Sequence, residues 1–172
     1  MNKQILAPLT ILLFALAITG YAYTRWQETL QIQGTTQTAK LEIIIQNYQT
    51  PLQTLYQDNH KLNLTGSITP NQPILTNITI KNTGTTPTTI THSITTNNTY
   101  LWQQYFIYNQ NLTDNYELLS GNTVVAQQNI TLTDTPPLPF AIEVTVTYTA
   151  TFASWTDTIT ITYILTYQEG GS

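Results

Sequence analysis

Residues 143–152 read EVTVTYTATF and residues 158–167 read TITITYILTY. In the first run Val144, Val146, Tyr148, Ala150 and Phe152 alternate with Glu143 and the threonines 145, 147, 149 and 151. In the second, Ile159, Ile161, Tyr163, Leu165 and Tyr167 alternate with Thr158, Thr160, Thr162 and Thr166. Period two is the signature of a strand with one buried and one wet face. Threonine suits the wet face: its β-branched stem favours extended backbone and its hydroxyl stays hydrated. The two runs flank Ala153–Asp157, so a β-hairpin is expected there.

The same pattern extends backwards along the chain. Ile90, His92 and Ile94 share a phase, as do Ile74, Thr76, Ile78 and Ile80, a stretch that ends on the turn signal Asn82-Thr83-Gly84. Ala39, Leu41, Ile43 and Ile45 form an earlier stretch, and Trp26, Glu28, Leu30 and Ile32 the first. The span Tyr100–Tyr108 is apolar on both faces, which predicts a central, doubly covered strand. Asn47–Leu55 reads as a short helix or a loop, with Pro51 barring a long helix. Pro136, Pro137 and Pro139 mark a stiff connection into the final hairpin. About eight short strands between turn signals predict an all-β, jelly-roll-like two-sheet sandwich.

Composition narrows the function classes. Only 8% of the 172 residues are charged, against about a quarter in an average domain. Five scattered cations and a net charge of −4 exclude a nucleic-acid groove, which needs clustered Lys and Arg to displace counterions. There is no cysteine, and a chain of this length needs no disulfide to close a core.

Lys3 precedes an apolar run from Ile5 to about Ala22, which ends on Gly20-Tyr21-Ala22. Charge, apolar core and small residues in that order make a secretory signal. The run is also long enough to border on a membrane span. A cleaved signal and a retained anchor both remain open, and both place the rest of the chain outside the cytoplasm, at the cell surface or beyond. The expected organisation is a signal or transmembrane-like helix over 1–22, a lone strand over 23–34, a β-domain over 35–169 and a tail over 170–172.

Candidate chemistry is sparse. The histidines are His60, in a solvated turn, and His92, in phase with Ile90 and Ile94 as a satisfied sheet histidine. Neither stands in a zinc-protease pattern. None of the five serines lies in a nucleophile elbow, so no catalytic residue, metal or cofactor is assigned. Asp114 and Glu117, with Asn111 and Asn115, are too few oxygens for an ordinary calcium site, and Asp134 reads as a turn former. Tyr100, Trp102, Tyr105 and Tyr108 would stack on sugars if exposed, but strand packing accounts for them. Asn63, Asn77, Asn97, Asn111 and Asn129 head N-x-[ST] sequons, which makes them possible N-glycosylation sites of an exported glycoprotein.

One segment calls for a partner. A strand at the start of the mature chain, with Trp26, Leu30 and Ile32 on one face, is an adhesive edge. Burying those three side chains contributes about 5–9 kcal/mol, at about 1.5–3 each. That offsets several kcal/mol of freedom lost on association. The energy permits insertion into another copy or closure of its own domain.

The stretch Gly20–Thr38, with its aromatic Trp26, acidic Glu28, the step Leu30-Gln31-Ile32-Gln33-Gly34 and a threonine-rich turn, resembles the start of TasA/camelysin-like secreted proteins. Ile78-Thr79-Ile80-Lys81-Asn82-Thr83-Gly84 resembles that group's strand-Asn-x-Gly turn, and Asp157–Gln168 its last strand. Ala39-Lys40 stands where relatives usually carry a glycine. The resemblance, which includes archaeal bundling-pilus subunits, implies a jelly roll that polymerises by donating its N-terminal strand to the next subunit. The leading expectation is therefore a pilus or fibre subunit, a head-to-tail homopolymer whose polymerisation strand carries Trp26, Leu30 and Ile32. The membrane enters only through residues 5–22, if they are uncleaved. A membrane-anchored surface domain that binds a glycan or a protein is the alternative. A surface protease ranks third, because camelysin's protease label finds no metal ligands here.

Overall fold

The computed structural model describes residues 12–17 and 38–168. Chain contacts divide the protein into two compact units, Met1–Gln37 and Thr38–Ser172. Within the first, residues 12–17 are helical with exposed side chains. Among the described residues no helix is long and apolar enough to cross a membrane. The segment 23–34, including Trp26, Leu30 and Ile32, and the rest of the signal or anchor run lie outside the described residues.

The second unit is mostly β. In chain order it runs β1 (Ile43–Gln49), β2 (Gln53–Gln57), β3 (Lys61–Ser67), β4 (Ile74–Asn82), β5 (Thr88–Thr96), α1 (Thr99–Tyr105), β6 (Phe106–Gln110), β7 (Tyr116–Leu118), β8 (Thr123–Leu132), β9 (Phe140–Phe152) and β10 (Trp155–Tyr167). Two sheets form, a four-stranded one ordered β1-β4-β8-β6 and a six-stranded one ordered β2-β3-β10-β9-β5-β7. Among the described strands β3 and β10 pair in parallel and the other pairs are antiparallel.

The final hairpin is the spine of the larger sheet. β9 and β10 pair without a break from Phe140↔Tyr167 to Phe152↔Trp155. Val144, Val146, Tyr148 and Ala150 of β9, with Ile159, Ile161, Tyr163 and Leu165 of β10, are completely buried, while the intervening threonines keep contact with water. These side chains and those of β4 and β8 form one hydrophobic cluster between the sheets.

Three expectations from the sequence are corrected. Tyr100–Tyr108 is not a central strand. Asn98 accepts from the Leu101 N–H and caps helix α1, which runs to Tyr105. The chain then extends into β6, an edge strand. The apolar residues of both faces are used there by a helix packed against the core and the strand that follows it, with Trp102 stacked on Phe106 at 5.2 Å. Asn47–Leu55 is neither helix nor loop: β1 continues to Gln49 past an irregularity at Ile45/Asn47, and Pro51 separates it from β2, which begins at Gln53. Residues 39–42 do not join β1 as strand, because their backbone is spent on another partner.

That partner is the β4–β5 turn. Lys40 N–H donates to Thr85 Oγ1 and Thr85 N–H to Lys40 O, both at 2.9 Å, and Thr83 N–H donates to Glu42 O at 2.9 Å. The approach requires glycine at position 84, where a Cβ would fall 2.3 Å from Lys40 O and 2.9 Å from Glu42 N. Asn82 is fully buried beneath this crossing. Its amide donates to Thr86 O and Leu118 O, and its oxygen accepts from Gly84 N–H. Glu42 binds Lys40 Nζ and Thr83 Oγ1, and these two contacts hold its carboxyl below the usual value. The motif Asn82-Thr83-Gly84 thus pins the lead-in of the domain to the start of β5.

Candidate functional site

No constellation of acid, base and nucleophile assembles among the described residues. His60 is half-buried and its Nε2 lies 3.5 Å from Asp157 Oδ2, which also accepts the Ile43 N–H. His92 Nδ1 meets Asp114 Oδ1 at 2.7 Å. Asp114 therefore serves as a tether for the loop after β6, while Glu117 sits exposed on β7. Asn111 and Asn115 are exposed, and no group of three or more His, Cys, Asp or Glu side chains gathers among the described residues. Asp134 accepts from Thr135 N–H, as a turn former does. A cleft of about 550 Å³ between Leu52, Gly66, Gln72 and Ile74 is lined by neutral side chains throughout, so it offers no proton donor or acceptor of useful pKa.

The sequon asparagines are scattered. Asn63 is half-buried on β3, and Asn77 on β4 accepts from Gln127 Nε2. Asn129 accepts from Thr131 Oγ1. Asn111 acts as an extra strand residue: its amide donates to Val125 O at 3.1 Å and accepts from Gln127 N–H at 2.7 Å. A glycan on that nitrogen would leave it a single N–H for Val125 O. Asn97 is exposed and engages Glu143 only through its oxygen and its backbone N–H. Of the aromatic group, Tyr100 is exposed, whereas Trp102, Tyr105 and Tyr108 are half-buried and pack against the core. Rings continue from Trp102 through Phe106 and Phe140 to Tyr167. Packing uses the rings that a sugar platform would need free.

Polar chemistry is instead concentrated inside. Gln128, fully buried on β8, donates from Nε2 to Tyr148 Oη at 2.8 Å and accepts from Tyr163 Oη. Tyr148 and Tyr108 both donate to Gln110 Oε1 at 3.1 Å. This belt ties β8 and β6 of one sheet to β9 and β10 of the other. Burial pushes the Tyr148 phenol up to about 12 and those of Tyr163 and Tyr108 further in the same direction, outweighing the Gln128 contact that lowers Tyr148. Every buried side-chain polar atom among the described residues has a partner. The belt joins the two sheets through buried amides and hydroxyls.

The sheet edges differ in a way that bears on function. Along the β1/β2 side the gap between sheets is sealed by Ile45 N–H donating to Asn59 O at 2.7 Å and Ile43 N–H to Asp157 Oδ2 at 2.8 Å. Along the β6/β5 side the loop after β6 is tied to β5 at His92 through Asp114, and beyond it Ile94 and Thr96 have no backbone partner on the outer edge among the described residues. β7 pairs only with Thr88–Ile90, so the rest of β5 has a neighbour on one side only, β9. Ile94, Trp102 and Tyr108 lie half-buried along that side. The sequence had marked His92 and Ile94 as strand residues, but it gave no sign that their outer edge is unpaired.

No protein-family model matches the chain, and no curated protein matches it. Among solved structures, a secreted serine protease, VesC from Vibrio cholerae, is similar at 11% identity and a TM-score of 0.41. The match covers 67% of this chain and 23% of that one. Likeness at that level carries no argument about this protein.

Proposed function

We propose that this protein is the structural subunit of an extracellular pilus or fibre, a jelly-roll-like sandwich that polymerises by donating residues 24–34 to the next copy. The single observation that supports this most is an incomplete sheet edge in the described domain, set beside an apolar strand in the sequence that precedes it. An unpaired edge over half-buried apolar side chains invites an added strand. Trp26, Leu30 and Ile32 are the side chains that would enter. Donor and acceptor are different surfaces, so the contact is heterologous and open-ended. The domain's neutral cleft and internally satisfied polar groups also favour a scaffold over a catalyst.

Electron microscopy of the exported full chain tests the reading. It should form filaments, and Trp26→Asp or removal of residues 23–33 should leave folded monomers. Filaments that persist after the deletion would overturn it.

A further inference from the structure

Five sequons look alike in the sequence, and the fold treats one of them differently. An N-x-[ST] acceptor on a folded chain has to offer a reactive amide nitrogen, a hydroxyl two residues on, and backbone that a transferase can reach, which is why surface loops carry it. Three of the five fail on backbone. Asn63 is paired on both sides, to Tyr56 of β2 and Thr162 of β10. Asn77 is paired to Gln49 of β1 and Gln127 of β8. Asn129 is paired to Leu75 of β4 and Asn109 of β6. Their middle residues, Leu64, Ile78 and Ile130, are buried in the core. Two of their hydroxyls are also engaged, Thr65 Oγ1 with Ile164 O and Thr131 Oγ1 with Asn129 Oδ1. The fourth, Asn111, is exposed, but its reacting nitrogen is held by Val125 O and its middle residue, Leu112, is buried.

Asn97 meets all three conditions. It lies just past the end of β5, outside the β5–β9 ladder. Its Oδ1 accepts the Glu143 N–H at 2.9 Å and its own N–H donates to Glu143 O at 3.2 Å. A backbone N–H can be met only by the oxygen of the amide, so the side chain cannot be turned over, and Nδ2 is left with no hydrogen-bond partner among the described residues. Asn98, the middle residue, is a half-buried polar side chain that caps α1 through the Leu101 N–H. Its backbone is close to extended, at φ −140° and ψ 87°, and extended backbone puts the side chains on either side of it on one face. Asn97 and Thr99 are both exposed. The sequon is therefore displayed whole, at a corner where β5 gives way to α1.

We infer that Asn97 is the residue of this chain that carries an N-linked glycan, transferred to the folded domain. The co-substrate is an oligosaccharide held through its anomeric carbon on a polyprenyl phosphate or diphosphate. Asn97 Nδ2 forms a bond to that carbon, the bond from the carbon to the phosphate oxygen breaks, the lipid phosphate leaves with the electron pair, and a base of the transferase takes one amide proton. Oδ1 is untouched, so both bonds to Glu143 survive the modification. The site requires export of the chain and is independent of polymerisation.

Peptide mapping by mass spectrometry of the protein purified from the surface of the cells that make it tests this. The peptide that contains Asn97 should be heavier by a glycan, and those that contain Asn63, Asn77, Asn111 and Asn129 should have their sequence masses. Thr99→Ala, made in the same cells, keeps Asn97 and its bonds to Glu143 and should abolish the modification, whereas Thr99→Ser should retain it. An exported chain with Asn97 unmodified would overturn the inference and leave the fibre reading standing. Glycans on Asn63, Asn77 or Asn129 would overturn selection by the fold. A chain found only inside the cell would overturn both this site and the fibre.

Discussion

Replacing Gln128 by leucine tests whether the two sheets are held in register by the buried amide. The side chain is fully buried and serves two tyrosine hydroxyls, donating to Tyr148 and accepting from Tyr163. Leucine is close in volume, so the substitution leaves little cavity and isolates the polar effect. A buried polar group that loses its partner costs about 1–3 kcal/mol. Tyr163 loses the acceptor for its proton. Tyr148 loses a donor but keeps Gln110 Oε1 at 3.1 Å, so its share falls at the lower end. The expected loss is about 2–4 kcal/mol, a large part of the 5–15 kcal/mol on which a domain stands. Urea unfolding in the Trp26→Asp background, which our proposal keeps monomeric, reads it as a lowered midpoint at unchanged slope. Tyr163→Phe added to Gln128→Leu should then cost less than Tyr163→Phe alone, because the hydroxyl it removes has already lost Gln128 as its acceptor and keeps only its contact with Thr76. A loss below about 0.5 kcal/mol, or additive single and double variants, would refute the argument.

Two further outcomes follow from the coordinates. The β9–β10 turn places Ala153 at φ 52°, a left-handed conformation that costs an L-residue about 1–2 kcal/mol. Ala153→Gly should stabilise the domain by about 0.5–1 kcal/mol after the greater freedom of glycine in the unfolded chain is counted. A melting scan showing a rise of a few degrees checks it, and a fall would contradict the turn geometry. In alkali the buried tyrosines should govern stability. Their folded values lie above the ordinary 10 because burial disfavours the phenolate. The contribution is therefore complete below pH 10 and lost as pH climbs from 10 through about 12, where Tyr148 titrates in the folded domain. Each such group removes about 1.4 kcal/mol per pH unit over that window. Stability that stays level from pH 9 to 12 would contradict this.

The final hairpin was legible because its periodicity is unbroken and its wet face is almost entirely threonine. Period two carries no such message in Tyr100–Tyr108, where both phases are apolar. The signal for α1 was Asn98, an N-cap residue three positions before Leu101, and it is weak against a nine-residue span in which all but Gln103 and Gln104 are apolar or aromatic. β2 escaped notice because Gln53, Thr54 and Gln57 lie on an exposed edge that imposes no apolar phase. Gln128 sits in register with Ala126 and Ile130, which marks it as inward, yet nothing local reveals Tyr148 and Tyr163 on the opposite sheet. The unpaired edge of β5 is a property of strand order, which depends on contacts between distant segments. The Asn82-Thr83-Gly84 turn was visible as a turn, but its second duty, gripping Lys40 and Glu42, comes from residues some forty positions away.

Helical reconstruction of filaments grown from the unaltered chain bears most directly on the central idea that subunits are joined by an exchanged strand. Density for residues 24–34 of one subunit should lie within the sandwich of its neighbour. Density showing that segment folded into the sheet of its own subunit, with filaments held by other surfaces, would contradict the account.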